Sequence, residues 1–519
     1  MDYHHAALLG GFVNSEIALN MLQLKDLQVL ILGLGESGLA MARWCVMHGA
    51  QITVADTRQE LALLSQLKQD CPQAQFVSGP LNQELIEGKS IRAVFKSPGL
   101  TPADVSGVWN AAEQIGLWMG TELTLFQQAL DDLQQSQQYT PQILAITGTN
   151  GKTTVTSLTG QLLERAGKKV AVAGNIGPTL LDTLRITLED LPQVWVLELS
   201  SFQLNDIKQF KPTIATILNI TQDHLDWHGD MASYVRAKSK IMGTHATLVL
   251  PVDDELVMKL LPTEEQIKKK QKTVRHWIGY GADVPKRAGD YGLETVNGVT
   301  WLVRAHEADE TRKRRRNEEE EEIYIQRLMP ADALRIRGQH NALNALAVLA
   351  LACNTGAALG PMLFGLREYL GEPHRLESIA VIKDVEYFED SKGTNVGATV
   401  AAIQGLGVDR RLVVILGGDG KGQDFSPLSS QISRYARAVV LIGRDASLIQ
   451  EACSPTSVNM QHASSMQEAV EMASQLAQTG DAVIMSPACA SFDMFDNYEH
   501  RAKVFCDAVH ALALPEGTA

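Results

Sequence analysis

A chain of 519 residues, 45% hydrophobic and 20% charged, has the composition of a globular protein with room for roughly three domains. Its net charge of −14 leaves no broad basic surface, which argues against a general nucleic-acid binder. No apolar run reaches membrane-spanning length. The six cysteines, Cys45, Cys71, Cys353, Cys453, Cys489 and Cys506, form no CxxC pair, so structural zinc and a disulfide framework are disfavoured and reduced thiols in a cytoplasm are expected.

Met1 to Asn20 reads as a loose extension, with Met21 as an alternative start, and lacks the Lys or Arg of a secretory signal. The first ordered element is the apolar run Val29 to Leu32, followed by Gly33-Leu34-Gly35-Glu36-Ser37-Gly38. A second strand candidate, Gln51 to Ala55, ends at Asp56-Thr57-Arg58. This is a Rossmann-type βαβ pattern, with an acid about 20 residues after the glycines. It fits a nicotinamide dinucleotide, and equally any nucleotide diphosphate seated on the helix N-terminus. Ala93 to Phe95 leads into Lys96-Ser97-Pro98-Gly99, which fits a simple turn as well as a ligand loop at a strand end. Asp131 to Thr140, rich in Gln and Asp, reads as a linker.

Ile143 to Ile146 is a short apolar strand candidate, followed by Gly148-Thr149-Asn150-Gly151-Lys152-Thr153-Thr154. Val155, Leu158, Leu162 and Ala166 then recur at helical spacing, and Gly167 stands at the expected C-terminus. Strand, glycine loop and helix together predict an ATP site: backbone N–H groups converge on an anion, Lys152 reaches the outer phosphates and the Thr153 hydroxyl holds Mg²⁺. The position five residues before Gly151 is Ile146, where the usual phosphate loop has glycine. Val194 to Leu197 ends in Glu198, a carboxylate placed as a Mg²⁺ ligand. Ile214 to Ile220 runs into Thr221-Gln222-Asp223-His224, where His224 fits a loop histidine or a metal or phosphate contact. From about 262 to 327 the pattern loosens into a charged insertion, with the block Thr311 to Glu322 (TRKRRRNEEEEE) read as a solvated loop. Asn341 and Asn344 share one helical face after Gly338.

Gly371 to Arg375 marks a hinge. Beyond it, Val385 to Phe388, Leu412 to Leu416, Ala438 to Ile442 and Ala482 to Met485 are strand candidates. Three of their ends carry loops rich in Lys and hydroxyl groups: Asp390 to Asn395, Gly417 to Gly422, and Ser486 to Asp493. On one edge of a parallel sheet these would suit a small dicarboxylate amino acid.

The GTNGKTT loop resembles that of the Mur ligase family, the ATP-dependent amide-bond formers of peptidoglycan synthesis. GLGESG, DTR, SPG, GGDGKG and SPACASFD, in this order, resemble its D-glutamate-adding members; the DNPR motif of the diaminopimelate-adding branch is absent, and Asn150 replaces the His of the alanine-adding loop. Gly393 sits where Ala is common and Tyr498 where Phe is usual. The resemblance implies three α/β domains: a Rossmann-like UDP-substrate domain over 1–139, a central P-loop ATPase-like parallel-sheet domain over 140–371, and a Rossmann-like amino-acid domain over 372–519. It places Gly35, Ser37, Asp56, Thr57, Arg58, Ser97, Pro98, Gly99, Asn175, Ser200 and Gln203 on the UDP-linked substrate. It places Gly148 to Thr154, Asn341, Asn344, Arg375 and Asp390 on ATP, with Arg375 toward the γ-phosphate. Thr153, Glu198, His224 and Lys238 become metal ligands, Lys238 of the YVRAK stretch after carbamylation by CO₂. Thr394, Lys421, Ser491 and Phe492 hold D-glutamate, while Lys152, His224, Lys238, Arg375 and Lys392 serve the chemistry. The implied reaction is ATP- and Mg²⁺-dependent addition of D-glutamate to UDP-N-acetylmuramoyl-L-alanine through an acyl phosphate, by a cytoplasmic monomer. A nicotinamide oxidoreductase would leave the ATP loop idle. A nucleotide-gated binding protein would leave the three late loops idle, and a folylpolyglutamate synthase would lack the first domain.

Overall fold

Val29, Leu30, Ile31 and Leu32 are fully buried, and a short run apolar on both faces is what a central parallel strand requires. The computed structural model, which describes residues 24–269, 274–308, 323–408 and 410–513, places them in such a strand. The expected extension Met1 to Asn20 and the charged block Thr311 to Glu322 lie outside the described residues. The chain divides into two compact units, Met1–Thr140 with Thr179–Leu188, and Pro141–Pro178 with Glu189–Ala519.

The first unit holds five parallel strands, β1 (Gln28–Leu32), β2 (Gln51–Asp56), β3 (Gln75–Ser78), β4 (Ala93–Lys96) and β5 (Trp118–Thr121), in the order β3-β2-β1-β4-β5. The order reverses between β1 and β4, so the glycine loop after β1 and the Ser97 turn after β4 flank one crevice. They are tied directly, since Ser97 Oγ donates to Gly33 O at 2.8 Å. Gly38 must be glycine for the helix Glu36–Met47 to start here, because a Cβ on it would lie 2.0 Å from Gly33 O.

The expected linker Asp131 to Thr140 is instead largely helix, Glu122–Gln137. Leu123, Leu125, Phe126, Ala129, Leu130 and Leu133 form its buried face; the Gln and Asp that suggested a linker include much of the opposite, more exposed face. It stops at Gln138, in the left-handed region at φ 57°.

A second helix, Leu180–Thr187, joins this unit from later in the chain. Its Leu181 N–H donates to buried Glu122 Oε1 at 2.9 Å, and Asp182 pairs with Arg43 at 2.7 Å.

The second unit contains two sheets. The larger comprises β6 (Gln142–Thr147), β7 (Val170–Gly174), β8 (Val194–Glu198), β9 (Ile214–Ile217), β10 (Thr247–Pro251), β11 (Trp277–Tyr280), β12 (Tyr291–Val296), β13 (Val299–Glu307) and β14 (Ile323–Pro330). Their order is β14-β13-β12-β11-β10-β9-β6-β8-β7, parallel from β7 to β12 and then an antiparallel meander. Strands β11 to β13 occupy much of the stretch expected as a charged insertion. Its half-exposed faces carry Glu, Arg and Thr, which blurred the alternation, yet Asn297-Gly298 between β12 and β13 is a two-residue hairpin turn with φ of 51° and 81°.

The smaller sheet comprises β15 (Glu377–Ile382), β16 (Val385–Glu389), β17 (Leu412–Gly417), β18 (Ala436–Ile442), β19 (Asn459–His462) and β20 (Ala482–Met485), in the order β15-β16-β20-β17-β18-β19. All are parallel except β15 against β16. The four strands read from the sequence are the central ones; β15 and β19 are the edges, β19 having one apolar residue in NMQH and β15 none that is fully buried.

Glu122 makes a pH prediction for the first unit. Burial raises its pKa from 4.5 to about 7, against the opposing hydrogen bond from Leu181. A carboxyl raised in the folded state binds its proton more tightly folded than unfolded. Its contribution is therefore fully present below pH 4.5 and is lost as pH rises to about 7, by at most about 3 kcal/mol. Denaturant unfolding of Glu122→Gln is expected to show a flatter stability profile across that window than the unaltered chain. Parallel profiles would show that Glu122 is ionised and compensated.

Candidate active site

The loop after β6 is built around one carbonyl. Lys152 Nζ donates to Gly148 O at 3.0 Å and to Thr149 O at 2.9 Å, while Lys238 Nζ donates to the same Gly148 O at 2.8 Å. Lys238 is 2% exposed. Burial holds its pKa well below the usual lysine value, and the charge of Lys152 pushes it further down. Lys152 is lowered too, chiefly by desolvation and against the attraction of Glu198 and Asp223. Tyr234 stacks beside Lys238, 4.7 Å from Nζ to ring centroid, and its hydroxyl bonds Thr149 Oγ1 at 3.0 Å. The sequence stretch YVRAK therefore turns its Tyr and its Lys inward, onto the loop.

Glu198, at the end of β8, is buried. Its Oε1 accepts from Asn175 Nδ2 at 3.0 Å, while Oε2 is buried with no hydrogen-bond partner among the described residues. An unpartnered buried carboxylate oxygen is costly unless a cation or donor completes it. Thr153 Oγ1 accepts from Arg375 Nη2 at 3.0 Å, so the hinge arginine reaches the first turn of the loop helix. His224 sits at φ 53°, its ring 4.7 Å from that of Phe202 and its Nε2 3.5 Å from Asp223 Oδ2. Burial lowers its pKa, opposed by Asp223 and reinforced by Lys152, Lys238 and Lys421. Neutral imidazole is the form that can ligate a metal.

A cavity of about 290 Å³ opens beside the loop, lined by Asn150, Gly151, Thr154, Asn341, Asn344, Arg375 and Asp390, with Leu218 and Tyr280 as apolar wall. Asn344 Nδ2 donates to Asn341 Oδ1 at 3.1 Å, which orients the pair. Asp390 Oδ2 accepts from Ser486 Oγ at 2.7 Å, and burial raises its pKa to about 7. Gly148, Thr149, Lys152 and Thr153 belong to the same loop, although the cavity lining itself does not include them.

A smaller cavity of about 40 Å³ brings His224 together with Thr394, Lys421 and Gln423. Lys421 is exposed and held at φ 49°. Ser491 is buried and lies outside that lining, while Phe492 is 69% exposed. Lys392 lies 5.4 Å from the Tyr498 ring, and burial, then the charge of Arg375, lowers its pKa.

In the first unit, Asp56 Oδ2 accepts from Leu34 N at 2.8 Å, and the Arg58 guanidinium grips both carboxylate oxygens at 2.9 Å. Burial alone would raise the Asp56 pKa, but these bonds hold it down at about 2. Thr57 and Gly99 are exposed, Ser37 and Pro98 half-buried, and Gly35 caps the helix that follows it. In the second unit, Ser200 and Gln203 form a capping box for the helix Ser201–Asn205, Ser200 N donating to Gln203 Oε1 at 2.9 Å. Asn175 is exposed apart from its bond to Glu198.

Three family models match in chain order: the Mur ligase MurD-like N-terminal domain over residues 27–115, the Mur ligase middle domain over 146–352, and the Mur ligase glutamate ligase domain over 374–489. The chain belongs to the Mur ligase family. It is 60% identical over 498 residues to the UDP-N-acetylmuramoylalanine–D-glutamate ligase of Albidiferax ferrireducens, covering 96% of this chain and 98% of that one. The enzyme of the same name from Paraburkholderia xenovorans is 53% identical over 501 residues, with 94% and 97% covered. In fold, the chain is similar to the UDP-N-acetylmuramate–alanine ligase of Thermotoga maritima, with a TM-score of 0.55 at 17% identity over 93% of this chain and 99% of that one. It is also similar to the MurF ligase of Thermotoga maritima in complex with ADP, with a TM-score of 0.53 at 14% identity over 95% and 97%.

Two residues beside the loop of this Mur ligase, Asn395 and Asn219, were not singled out by sequence as site residues. Asn395 Nδ2 donates to Asn150 Oδ1 at 3.0 Å and Asn150 Nδ2 to Asn395 Oδ1 at 3.2 Å, so the loop after β6 and the Asp390–Asn395 loop clasp each other. Asn219 Oδ1 accepts from Asn150 N at 2.8 Å. An Asn at the end of a loop reads locally as a helix cap, which Asn395 also is, and nothing in its spacing announces the long-range bond.

Gly151 is at φ 83°, and a Cβ there would meet Asn344 Oδ1 at 2.8 Å. Gly151→Ala is expected to strain the loop by about 1–2 kcal/mol and weaken ATP binding roughly tenfold, measured by calorimetric titration. Unchanged affinity would mean that Asn344 and the loop take no part in nucleotide binding.

Proposed function

We propose that this chain adds D-glutamate to UDP-N-acetylmuramoyl-L-alanine with conversion of ATP to ADP and phosphate, in the cytoplasmic stage of peptidoglycan synthesis. The observation that carries the reading is the convergence of Lys152, Lys238 and Glu198 at the loop helix, in a unit that also holds a cavity lined by Asn150, Asn341, Asn344 and Arg375 and a small one lined by His224, Thr394 and Lys421. The names of the close relatives supply the substrates. Domain boundaries at 139 and 371, action as a monomer and independence of nucleic acid belong to the same proposal. Among the described residues no helix is long and apolar enough to cross a membrane.

In this reading the substrate's L-alanine carboxylate attacks the γ-phosphorus of ATP; the bond to the bridging oxygen breaks and ADP leaves, forming an acyl phosphate. The D-glutamate amine then attacks the acyl carbon, losing a proton, and phosphate departs. Lys152 and Arg375 hold the phosphates and offset the charge that develops on them. Asn341, Asn344 and Asp390 orient the nucleoside, and Thr394, Lys421, Ser491 and Phe492 receive the dicarboxylate. Lys392 stands beside the reacting groups. Gly35, Ser37, Asp56, Thr57, Arg58, Ser97, Pro98 and Gly99 in the first unit, and Asn175, Ser200 and Gln203 in the second, are the residues assigned to the UDP-linked substrate.

The unpartnered Glu198 Oε2 fits a hard cation, and Thr153, Glu198, His224 and Lys238 are the residues that would hold Mg²⁺. Such a cation would neutralise phosphate charge during transfer. Lys238 suits the role once carbamylated: its uncharged amine adds to CO₂, a proton leaves, and a repelling cation becomes an oxygen ligand.

Phosphate release from ATP with UDP-N-acetylmuramoyl-L-alanine tests the reading, offering amino acids one at a time. Release that requires D-glutamate and fails with L-glutamate is the expected result. Release with another amino acid would keep the ligase and overturn the assignment of Thr394, Lys421 and Ser491, while no release at all would overturn the reaction.

A further inference from the structure

Arg501, in the C-terminal helix Tyr498–Ala513, is an arginine buried to 1% exposure with no carboxylate at ion-pair distance among the described residues. Its three nitrogens are all spent on the two loops at the edge of the smaller sheet. Nε donates to Ser391 Oγ at 2.9 Å, Nη2 to Ser391 O at 2.8 Å, and Nη1 to Cys489 O at 3.0 Å. Ser391 is the hub of this arrangement: it is fully buried, its N–H donates to Glu389 Oε1 at 2.5 Å, and its hydroxyl donates to Tyr498 O at 2.8 Å. Cys489, also buried, stands two residues before Ser491. Ser391 adjoins Lys392 and lies three residues before Thr394.

Burying a guanidinium with no carboxylate in direct contact is expensive even where, as here, Asp493, Glu389 and Asp390 favour its charge from a distance, and apolar packing around the same helix would be cheaper. What the guanidinium alone supplies is a rigid planar fork that can bind two backbone carbonyls on different loops in one fixed geometry. Burial lowers its pKa to about 10, so it stays charged at neutral pH.

We propose that Arg501 is a positioning residue that fixes the Asp390–Asn395 loop against the Ser486–Asp493 loop, and thereby sets the affinity for the incoming dicarboxylate amino acid. This rests on the reading that Thr394 and Ser491 receive that amino acid. Arg501 touches neither the substrate nor the reacting atoms. It acts through Ser391 and Cys489, and a displacement of the two loops relative to each other separates the groups that must grip the two carboxylates together.

The test is steady-state kinetics of Arg501→Lys, whose single ammonium cannot span both carbonyls, with each of the three substrates varied in turn. The KM for D-glutamate is expected to rise roughly tenfold or more, with the KM values for ATP and UDP-N-acetylmuramoyl-L-alanine unchanged. Ser391→Ala removes one of the three bonds and keeps the other two. It is expected to raise the D-glutamate KM by a smaller factor, and it carries the test if Arg501→Lys does not fold. Equal changes in all three KM values, or a loss of activity that only tracks a lower Tm, would make Arg501 a plain stabilising residue and overturn the proposal. If the unaltered enzyme shows no dependence on D-glutamate, the underlying reading falls and this proposal with it. If it does show that dependence and both variants keep its KM, this proposal alone falls.

Discussion

Two lysines donate to one carbonyl oxygen, Gly148 O, and the rest of the site follows from that crowding. Ammonium groups held this close repel, and desolvation at Lys238 adds to the cost of keeping both charged. The arrangement is tolerable in two ways: an anion can arrive to share the charge, or one lysine can give its charge up. The nearby Glu198, with one buried oxygen unpartnered, poses the opposite problem, a negative charge wanting a cation. A phosphate chain and a divalent metal would relieve both at once. Binding of such groups would lower the electrostatic cost of the loop, the way a preorganised site gains from transition-state charge without reorganising.

The same loop also anchors the smaller sheet of its unit. Arg375 reaches Thr153, and Asn395 exchanges two hydrogen bonds with Asn150. These polar bonds are few, and apart from buried Thr153 and Asn395 they join half-exposed side chains, so they can be exchanged for ligand contacts without unpacking a core. Arg501 joins the Asp390–Asn395 loop to the Ser486–Asp493 loop.

The phosphate loop was legible because its meaning is local: an apolar strand, glycines where φ is positive, and an amphipathic helix fall within one continuous stretch. The three late loops were legible for the same reason, each being a strand end. Lys238 was legible only through the family resemblance, since a lysine on a short helix reads by pattern as a solvated side chain; its bond to Gly148 O, beside the bond of Tyr234 to Thr149, shows it turned inward. Arg501 in YEHRAKVF is hidden in the same way. The helix Leu180–Thr187 could not be assigned to the first unit, because its partner Glu122 lies far back in the sequence. Ser200 and Gln203 show the reverse: a capping box is readable from the residues themselves, and the fold uses them so.

The state of Lys238 tests the account most directly. The purified enzyme, equilibrated with isotopically labelled bicarbonate, should show a carbamate carbon resonance in NMR that disappears in Lys238→Ala, together with the activity. A fully active enzyme with no such resonance would contradict the account, because Lys152 and Lys238 would then share Gly148 O as two unmodified amines through the whole reaction.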